Sequence, residues 1–255
     1  MAEYALFSLK GQTVLVTGAS SGIGLHIARV AAAAGAMVAL AARRTELIAS
    51  AAEQLRASGH RAQAFALDVT QSSEIPGVFD AVEEELGAPV DILLNNAGIM
   101  LAEKFVSQSE ADIDRLFDTN LKGAFLVAQE AARRMSRIKR GSIINVASTA
   151  GLRAGAFMAS YGASKAALIH LSRTMALELA GKGIRVNALC PGNIETDIQI
   201  PLASFAEPMI QRTPMRRFGK LEDLDGPFLL LASDAGRYMT GSVLTVDGGQ
   251  TLSWM

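Results

Sequence analysis

Short apolar runs alternate with longer segments of helical periodicity along nearly the whole chain. The apolar runs predict buried strands at residues 13–17, 37–41, 62–68, 91–95, 142–147, 185–189 and 243–246. The segments between them predict helices at residues 22–34, 46–57, 73–86, 112–135, 161–180 and 222–232. Alternating strands and helices are typical of the α/β class. We therefore expect a single doubly wound, mainly parallel seven-stranded sheet with helices on both faces.

The chain shows no internal repeat and no linker rich in proline, glycine and serine, so we expect one domain spanning residues 1–255. Ligands on doubly wound sheets bind beyond the carboxyl ends of the strands. Gly18, Asn95, Ser148 and Pro191 lie at or just past four predicted strand ends. The sequence therefore predicts that these residues converge on one site.

A glycine-rich turn follows the first predicted strand. Gly18, Gly22 and Gly24 are spaced G-x-x-x-G-x-G, which departs from the G-x-G-x-x-G dinucleotide fingerprint. Glycines at such a turn let the backbone approach a bound phosphate, and the following helix would offer free N–H groups to it. A ligand-free turn between strand and helix is the alternative interpretation.

Tyr161 and Lys165 are four residues apart in a predicted helix, so both side chains project from one face. A free phenol has a pKa of ~10, and a nearby positive charge lowers it. A shift of about three units requires ~4 kcal/mol of differential interaction. Such a tyrosine would exchange a proton with a carbonyl oxygen near neutral pH. Alone, the pair also fits an ordinary helical turn with an exposed lysine.

Taken together, the motifs resemble the short-chain dehydrogenase/reductase family from about residue 9 to residue 249. The resemblance rests on the run from Thr17 to Gly24, on Asn95-Asn96-Ala97-Gly98, and on Asn120, Ser148, Tyr161-x-x-x-Lys165 and Pro191-Gly192. It implies a Rossmann-like domain, a nicotinamide dinucleotide, and hydride transfer between a carbonyl compound and a secondary alcohol.

The resemblance also implies catalytic roles for four residues. Tyr161 would donate a proton to the carbonyl oxygen, and Lys165 would lower the tyrosine pKa and bind the nicotinamide ribose. Ser148 would orient the oxygen, and the main chain of Asn120 would hold a water that leads from Lys165 to solvent. The cofactor-binding positions implied are Gly18, Ser20, Ser21, Gly22, Ile23, Gly24, Arg43, Arg44, Asp68, Val69, Asn95, Ala97, Gly98, Tyr161, Lys165, Pro191, Gly192, Ile194 and Thr196.

The end of the second strand bears on the choice of coenzyme. An acid there would bind the adenosine ribose of NAD and repel a 2′-phosphate. Ala42 occupies this place and Arg43 and Arg44 follow it, which favours NADP(H) over NAD(H) because guanidinium groups bind phosphate well. A solvated helix start is the alternative for the two arginines. Asp68 resembles an adenine contact, although a strand-end acid also suits a helix cap.

Composition removes several classes of function. With 24 basic and 25 acidic residues the chain has a net charge of -1, which gives no general attraction to nucleic acid or to anionic membranes. No apolar stretch approaches the roughly 20 residues of a membrane span, and no secretory signal is recognisable. The single Cys190 excludes an intrachain disulfide and suits a reducing cytoplasm, and three scattered histidines predict no metal site.

Substrate and partners are less constrained. Expected pocket walls are residues 100–101, 152–158 and 194–218, with a lid around residues 193–219 whose apolar residues favour a medium-sized carbonyl substrate. Arg153 is a candidate for binding an anionic group, and a solvent-facing side chain is the alternative interpretation. The basic run 133–140 either complements a helix dipole or docks an acidic acyl carrier protein. A ketone reductase or alcohol dehydrogenase is therefore expected, with a 3-oxoacyl-[acyl-carrier-protein] reductase and a non-catalytic dinucleotide-binding regulator as alternatives. The resemblance and the apolar helices favour a homotetramer.

Overall fold

The computed structural model describes residues 5–196 and 206–252, and seven strands form one sheet in the order β3-β2-β1-β4-β5-β6-β7. Every neighbouring pair is parallel, which confirms the expected fold class. The strands are β1 (Thr13–Thr17), β2 (Met37–Ala42), β3 (Ala62–Ala66), β4 (Ile92–Asn95), β5 (Gly141–Val146), β6 (Ile184–Pro191) and β7 (Val243–Val246).

Helices cover both faces of this sheet. They are α1 (Gly22–Ala33), α2 (Thr45–Ala57), α3 (Ile75–Leu86), α4 (Glu110–Phe117), α5 (Ala124–Ile138), α6 (Ala159–Leu179), α7 (Ala206–Arg212) and α8 (Asp225–Ala232). One buried cluster joins Val14 and Val16 of β1 to α1, α2 and α8. A second joins Leu15 to α3, α5 and α6. Because side chains alternate between the faces and both faces are covered, the strands are apolar at most positions.

The order of the strands reverses between β1 and β4, because successive crossovers run outward from β1 in opposite directions. A crevice forms at such a reversal, at the carboxyl ends of the two strands. The ends of β1, β4, β5 and β6 therefore lie side by side, as the sequence predicted.

Some predicted boundaries are wrong for identifiable reasons. The helix expected at 112–135 begins at Glu110, because the Ser109 side chain accepts a hydrogen bond from the Asp112 backbone N–H (3.1 Å) and caps it. It is also interrupted by a π-helical segment, Asp118–Gly123, between α4 and α5. The helix expected at 222–232 opens with a 3₁₀ turn, Leu221–Leu224, before α8 begins.

The lid expected around residues 193–219 is described in part. Residues 193–196 and 206–219 are described and include α7. Ile198, Ile200, Leu202 and Phe205 fall outside the described residues, as do Ser253, Trp254 and Met255 at the end of the sequence. Among the residues that are described, no helix combines the length and apolar character needed to cross a membrane. The assignment of residues 1–255 to a single domain stays a prediction.

Candidate active site

A cavity of about 710 Å³ opens at the carboxyl ends of β4, β5 and β6. Its wall combines residues from these strand ends with the loop that precedes α6, with part of α7 and with the segment after β7. Nine of the predicted catalytic and cofactor-binding residues line it: Ile23, Gly98, Ser148, Tyr161, Lys165, Pro191, Gly192, Ile194 and Thr196.

Ser148 and Tyr161 meet in this cavity. Ser148 follows β5 and caps the 3₁₀ turn Thr149–Gly151, where its Oγ accepts a hydrogen bond from the Ala150 N–H (3.1 Å). Hydrogen bonding by its side chain also affects the pKa of the Tyr161 phenol. Burial raises the pKa of Tyr161 above the usual value for a phenol, and the bond to Ser148 opposes that rise. Two adjacent hydroxyls facing one cavity are suited to bind a carbonyl oxygen.

Lys165 lies one helical turn beyond Tyr161 and is also buried. Its Nζ donates to the Val146 carbonyl oxygen (2.9 Å) and lies 5.8 Å from the centre of the Tyr161 ring. Burial lowers the pKa of the ammonium to about 8. Burial is the largest cause of the shift in both groups, so the pKa of Tyr161 lies above its usual value in this structure, and the expected lowering by Lys165 stays a prediction.

Asn120 lies in the π-helical segment, behind the cavity wall. Its Oδ1 accepts from the Ile99 N–H and its Nδ2 donates to the Ile99 carbonyl, both at 2.8 Å. Nδ2 also donates to the Ser164 hydroxyl (3.4 Å). A Cβ built on Gly98 would lie 3.3 Å from Asn120 Oδ1 and 3.6 Å from Lys165 Nζ, so the three residues are in close contact. The side chain of Asn120 thus holds the loop after β4, and its role in a water path stays a prediction.

The glycine turn packs directly on the loop after β4. Gly18 has φ +66°, and a Cβ there would lie 2.8 Å from the Ala97 Cα, so the contact requires glycine. The Thr17 hydroxyl accepts from the N–H groups of Asn96 and Ala97, both at 3.0 Å. Asn96 Nδ2 donates back to the Thr17 and Gly18 carbonyls (3.0 and 3.3 Å). These bonds fix the turn beside the cavity.

The two arginines after β2 occupy different environments. Arg44 donates from Nε and Nη2 to the Ser20 hydroxyl (3.1 and 2.8 Å) and from Nη2 to the Ser21 hydroxyl (2.7 Å). Arg43, like Arg44, is exposed to solvent, but none of the described contacts joins it to the glycine turn. Of the two arginines, Arg44 is therefore the one that the structure joins to the glycine turn, at the end of β2 where Ala42 replaces an acid.

Three residues predicted to bind the cofactor are not among the described lining residues of the cavity and contact other parts of the protein. Asn95 is buried, and its Nδ2 donates to the Ala124 carbonyl (2.7 Å) and to Asn145 Oδ1 (3.0 Å). Asp68 Oδ1 accepts from the Thr70 N–H and hydroxyl (3.0 and 2.8 Å), a turn that ends β3 early. Val69 packs against the π-helical segment through its backbone carbonyl and side chain. Cofactor contacts by these residues stay predictions.

Several wall residues were not singled out from the sequence. Asn96 belongs to the motif after β4, but its side-chain role depends on the fold of the glycine turn. Asn193, Gln250 and Thr251 also line the cavity, and Gln250 Oε1 accepts from the Asn193 N–H (3.2 Å). Part of the expected pocket wall is confirmed, since the cavity is lined by Met100, by residues 153–158, and by Pro208, Met209 and Arg212 of α7. Leu101 and Leu152 were also expected there but are not among the lining residues described.

Known proteins are similar to this chain over most of its length. A family model described as Enoyl-(Acyl carrier protein) reductase matches residues 18–251. The chain is 38% identical over 256 residues to gluconate 5-dehydrogenase from Gluconobacter oxydans, covering 99% of this chain and 100% of that one. It is 38% identical over 242 residues to 3-oxoacyl-[acyl-carrier-protein] reductase from Thermotoga maritima, covering 94% and 98%.

A solved structure shows the same fold with a bound dinucleotide. The crystal structure of a gluconate 5-dehydrogenase from Burkholderia cenocepacia, in complex with NADP and tartrate, superposes with a TM-score of 0.94 at 36% identity and 98% coverage of both chains. The resemblance noted in the motifs thus extends over almost the full length of sequence and fold. The chain belongs to the short-chain dehydrogenase/reductase family of oxidoreductases.

Proposed function

We propose that this protein is an NADP(H)-dependent oxidoreductase that interconverts a ketone and a secondary alcohol, with Asn120, Ser148, Tyr161 and Lys165 as its catalytic group. The observation that carries the proposal is that Ser148, Tyr161 and Lys165 line one cavity. A buried acid, a second hydroxyl donor and a cation at one cavity are the groups that carbonyl reduction requires.

In this mechanism the two hydroxyls bind the carbonyl oxygen. Because burial raises the pKa of Tyr161, the phenol carries its proton at neutral pH and serves as the acid for reduction. Ser148 Oγ is held by the Ala150 N–H and directs its own hydrogen bond toward the same oxygen. When bound, NADP(H) supplies or accepts the hydride. Lys165 places a positive charge beside the phenol, which stabilises the phenolate left after proton transfer.

The residues present fit the coenzyme at its phosphate end. The glycine turn brings backbone close to the cavity, since a Cβ on Gly22 would lie 3.6 Å from Cγ2 of the lining residue Thr196. The Arg44 guanidinium and the hydroxyls of Ser20 and Ser21 form one polar group beside that turn. Guanidinium and hydroxyl donors suit the 2′-phosphate that distinguishes NADP from NAD. NAD(H) remains the alternative that kinetics must compare.

The experiment that tests this function is an NADPH-oxidation screen over ketones, oxo acids, oxo esters and oxoacyl thioesters, repeated with NADH. We expect turnover of at least one ketone class, with kcat/KM higher for NADPH. Comparable kcat/KM values for the two coenzymes would contradict the coenzyme assignment, and no turnover of any carbonyl would contradict the reaction.

A second candidate, 3-oxoacyl-[acyl-carrier-protein] reductase, is favoured by the similarity to the Thermotoga maritima enzyme. The basic run 133–140 gives this candidate limited support, because several of its cations form ion pairs with acidic residues of the same chain. Arg134 pairs with Asp80, Glu83 and Glu130, and Arg140 pairs with Asp91 (2.9 Å). Arg137 and Lys139 are the exposed cations without an ion pair among the contacts that the structure describes.

Carrier recognition is tested by reducing one 3-oxoacyl group presented on a carrier protein and as a small free thioester. A carrier-bound thioester reduced more than tenfold faster, with the preference lost in Arg137→Glu, would establish this candidate. Equal rates would exclude a carrier-specific role.

Assembly and location follow as part of the proposal. We propose a homotetramer in the cytoplasm, where the buried free thiol of Cys190 would stay reduced. Light scattering of the purified protein measures the assembly, and cell fractionation the location. If the protein is instead a non-catalytic regulator, it should bind NADPH and show no turnover of any carbonyl in the same screen.

A further inference from the structure

Two arginines line the cavity in addition to Lys165. Arg153 lies on the loop between Ser148 and Tyr161, and Arg212 is the last residue of α7. They are separated widely in sequence, yet both belong to the wall of the cavity that holds the reacting hydroxyls. Neither has a role in the proposed proton transfer.

One turn after β7 fixes the position of Arg153. The Arg153 Nη1 donates to the Thr251 carbonyl (2.6 Å). Thr251 is itself held by Asp247, whose carboxylate accepts from the N–H groups of Gly249 and Thr251 (2.9 and 2.7 Å). The guanidinium is therefore bound to a turn with its own internal hydrogen bonds, although the arginine side chain reaches toward solvent.

The same turn holds the end of α7. Thr213, the residue after Arg212, is buried, and a Cβ on Gly248 would lie 3.2 Å from its Cγ2. The Met215 N–H donates to the Gly248 carbonyl (3.1 Å). Both arginines are thus attached to residues 247–251, one through a direct hydrogen bond and the other through its neighbouring residue.

Among the lining residues that the structure describes, cations outnumber acids. The described lining residues of the cavity include three cations, Lys165, Arg153 and Arg212, and neither aspartate nor glutamate. The same wall includes apolar residues, among them Met100, Phe157, Met158 and Met209. A cavity with a polar reacting end, apolar walls and two guanidinium groups suits a ligand that is apolar in part and anionic at one end.

We propose that the substrate carries a carboxylate, which Arg153 and Arg212 bind while its carbonyl lies at Ser148 and Tyr161. This inference rests on the proposed carbonyl reduction and adds the chemical class of the substrate. A planar guanidinium forms paired hydrogen bonds with a carboxylate, so lysine at either position binds less well. Arg153 and Arg212 are then residues that determine substrate specificity.

The test compares linear oxo acids of increasing length with their methyl esters and with matched oxo phosphonates. Each is assayed with wild type, Arg153→Gln, Arg212→Gln and Arg153→Lys. Arg237→Gln is the control, since Arg237 is exposed and is not among the described lining residues. We expect kcat/KM for the preferred oxo acid to fall about ten- to hundredfold in each Gln variant, while the ester, the KM for NADPH and the control variant stay within about twofold.

The outcomes separate the two proposals. Reduction of neutral ketones with no preference for acids, or equal losses for acid and ester, would overturn the carboxylate site and leave the proposed function intact. A phosphonate preferred over the carboxylate would replace the carboxylate by another anion and overturn the proposal as stated. If no carbonyl is reduced, calorimetry of the oxo acids with protein and NADPH decides, and binding unaffected by either Gln substitution would overturn it.

Discussion

At the scale of single residues, the burial of Lys165 is the least expected feature of the site, because removing an ammonium group from water costs free energy. A lysine ammonium away from water loses solvation, and here the Val146 carbonyl replaces only part of it. Burial lowers the pKa of Lys165 from 10.5 to about 8, which corresponds to ~3 kcal/mol of stability lost at neutral pH. A residue retained at this cost is better explained by function than by packing.

We predict that Lys165→Met raises the free energy of unfolding at pH 7 by about 2 kcal/mol, because the burial penalty disappears and one hydrogen bond is lost. The unfolded chain binds the lysine proton more tightly than the folded chain does, so wild-type stability recovers as pH rises from about 8 toward 10.5. The gain of the variant should therefore shrink over that range. Urea unfolding at pH 7 and pH 9.5 measures both values, and a variant less stable than wild type at pH 7 would refute the assignment.

Site residues could be predicted where they belong to a sequence motif. They could not be predicted where their contacts depend on an element that is distant in sequence. The spacing of Tyr161 and Lys165 on one helix face, together with the family resemblance, indicated that pair, and the resemblance alone indicated Ser148. The sequence did not separate Arg44 from Arg43, since only the folded chain brings Arg44 within hydrogen-bond distance of Ser20 and Ser21. The direction of the Tyr161 pKa also depends on burial, which spacing does not measure.

At the scale of elements, the helix between β4 and β5 shows what periodicity misses. Its apolar pattern predicted one continuous helix, whereas Asp118–Gly123 is π-helical. Gly123 permits this, because a Cβ there would lie 2.8 Å from the Val69 carbonyl oxygen and 3.1 Å from that of Asp118. Single turns of π-helix occur often at functional sites, and here the turn carries Asn120.

We predict that Gly123→Ala destabilises the protein by about 1–3 kcal/mol, since the methyl group must displace backbone. Gly77→Ala is the matched control: Gly77 lies in α3 with nothing within 4 Å of a built Cβ, so alanine should stabilise by ~0.5–1 kcal/mol. Chemical denaturation of both variants gives the comparison. Equal effects of the two substitutions would show that the π-helical segment needs no glycine.

At the scale of the whole molecule, the parallel sheet explains why distant sequence motifs meet. Strand order places the ends of β1, β4, β5 and β6 together, and this convergence was predictable from alternating strands and helices alone. The contacts of residues 247–251 with the cavity wall could not be predicted. That turn meets the loop before α6 and the end of α7 only because segments far apart in sequence pack together.

Ligand linkage provides a measurement on the entire fold. We predict that NADPH at a hundredfold its Kd stabilises wild type by about 2.7 kcal/mol, provided it binds only the folded chain. This stabilisation raises the Tm of wild type. In Arg44→Ala most of the rise in Tm caused by NADPH should be lost at the same concentration, whereas the rise caused by NADH should equal that of wild type. Thermal unfolding with each coenzyme measures the four values. Equal losses with both coenzymes would indicate damage to the fold and not to a phosphate site.

Proton transfer by Tyr161 is the claim on which the account depends, and Tyr161→Phe tests it most directly. With the ketone that wild type reduces best, kcat should fall about 10²–10⁴-fold, while NADPH fluorescence titration gives a Kd within about twofold of wild type. Phenylalanine fills the same buried volume, so the variant should remain folded. Near-normal turnover by the folded variant would contradict the mechanism proposed for this site.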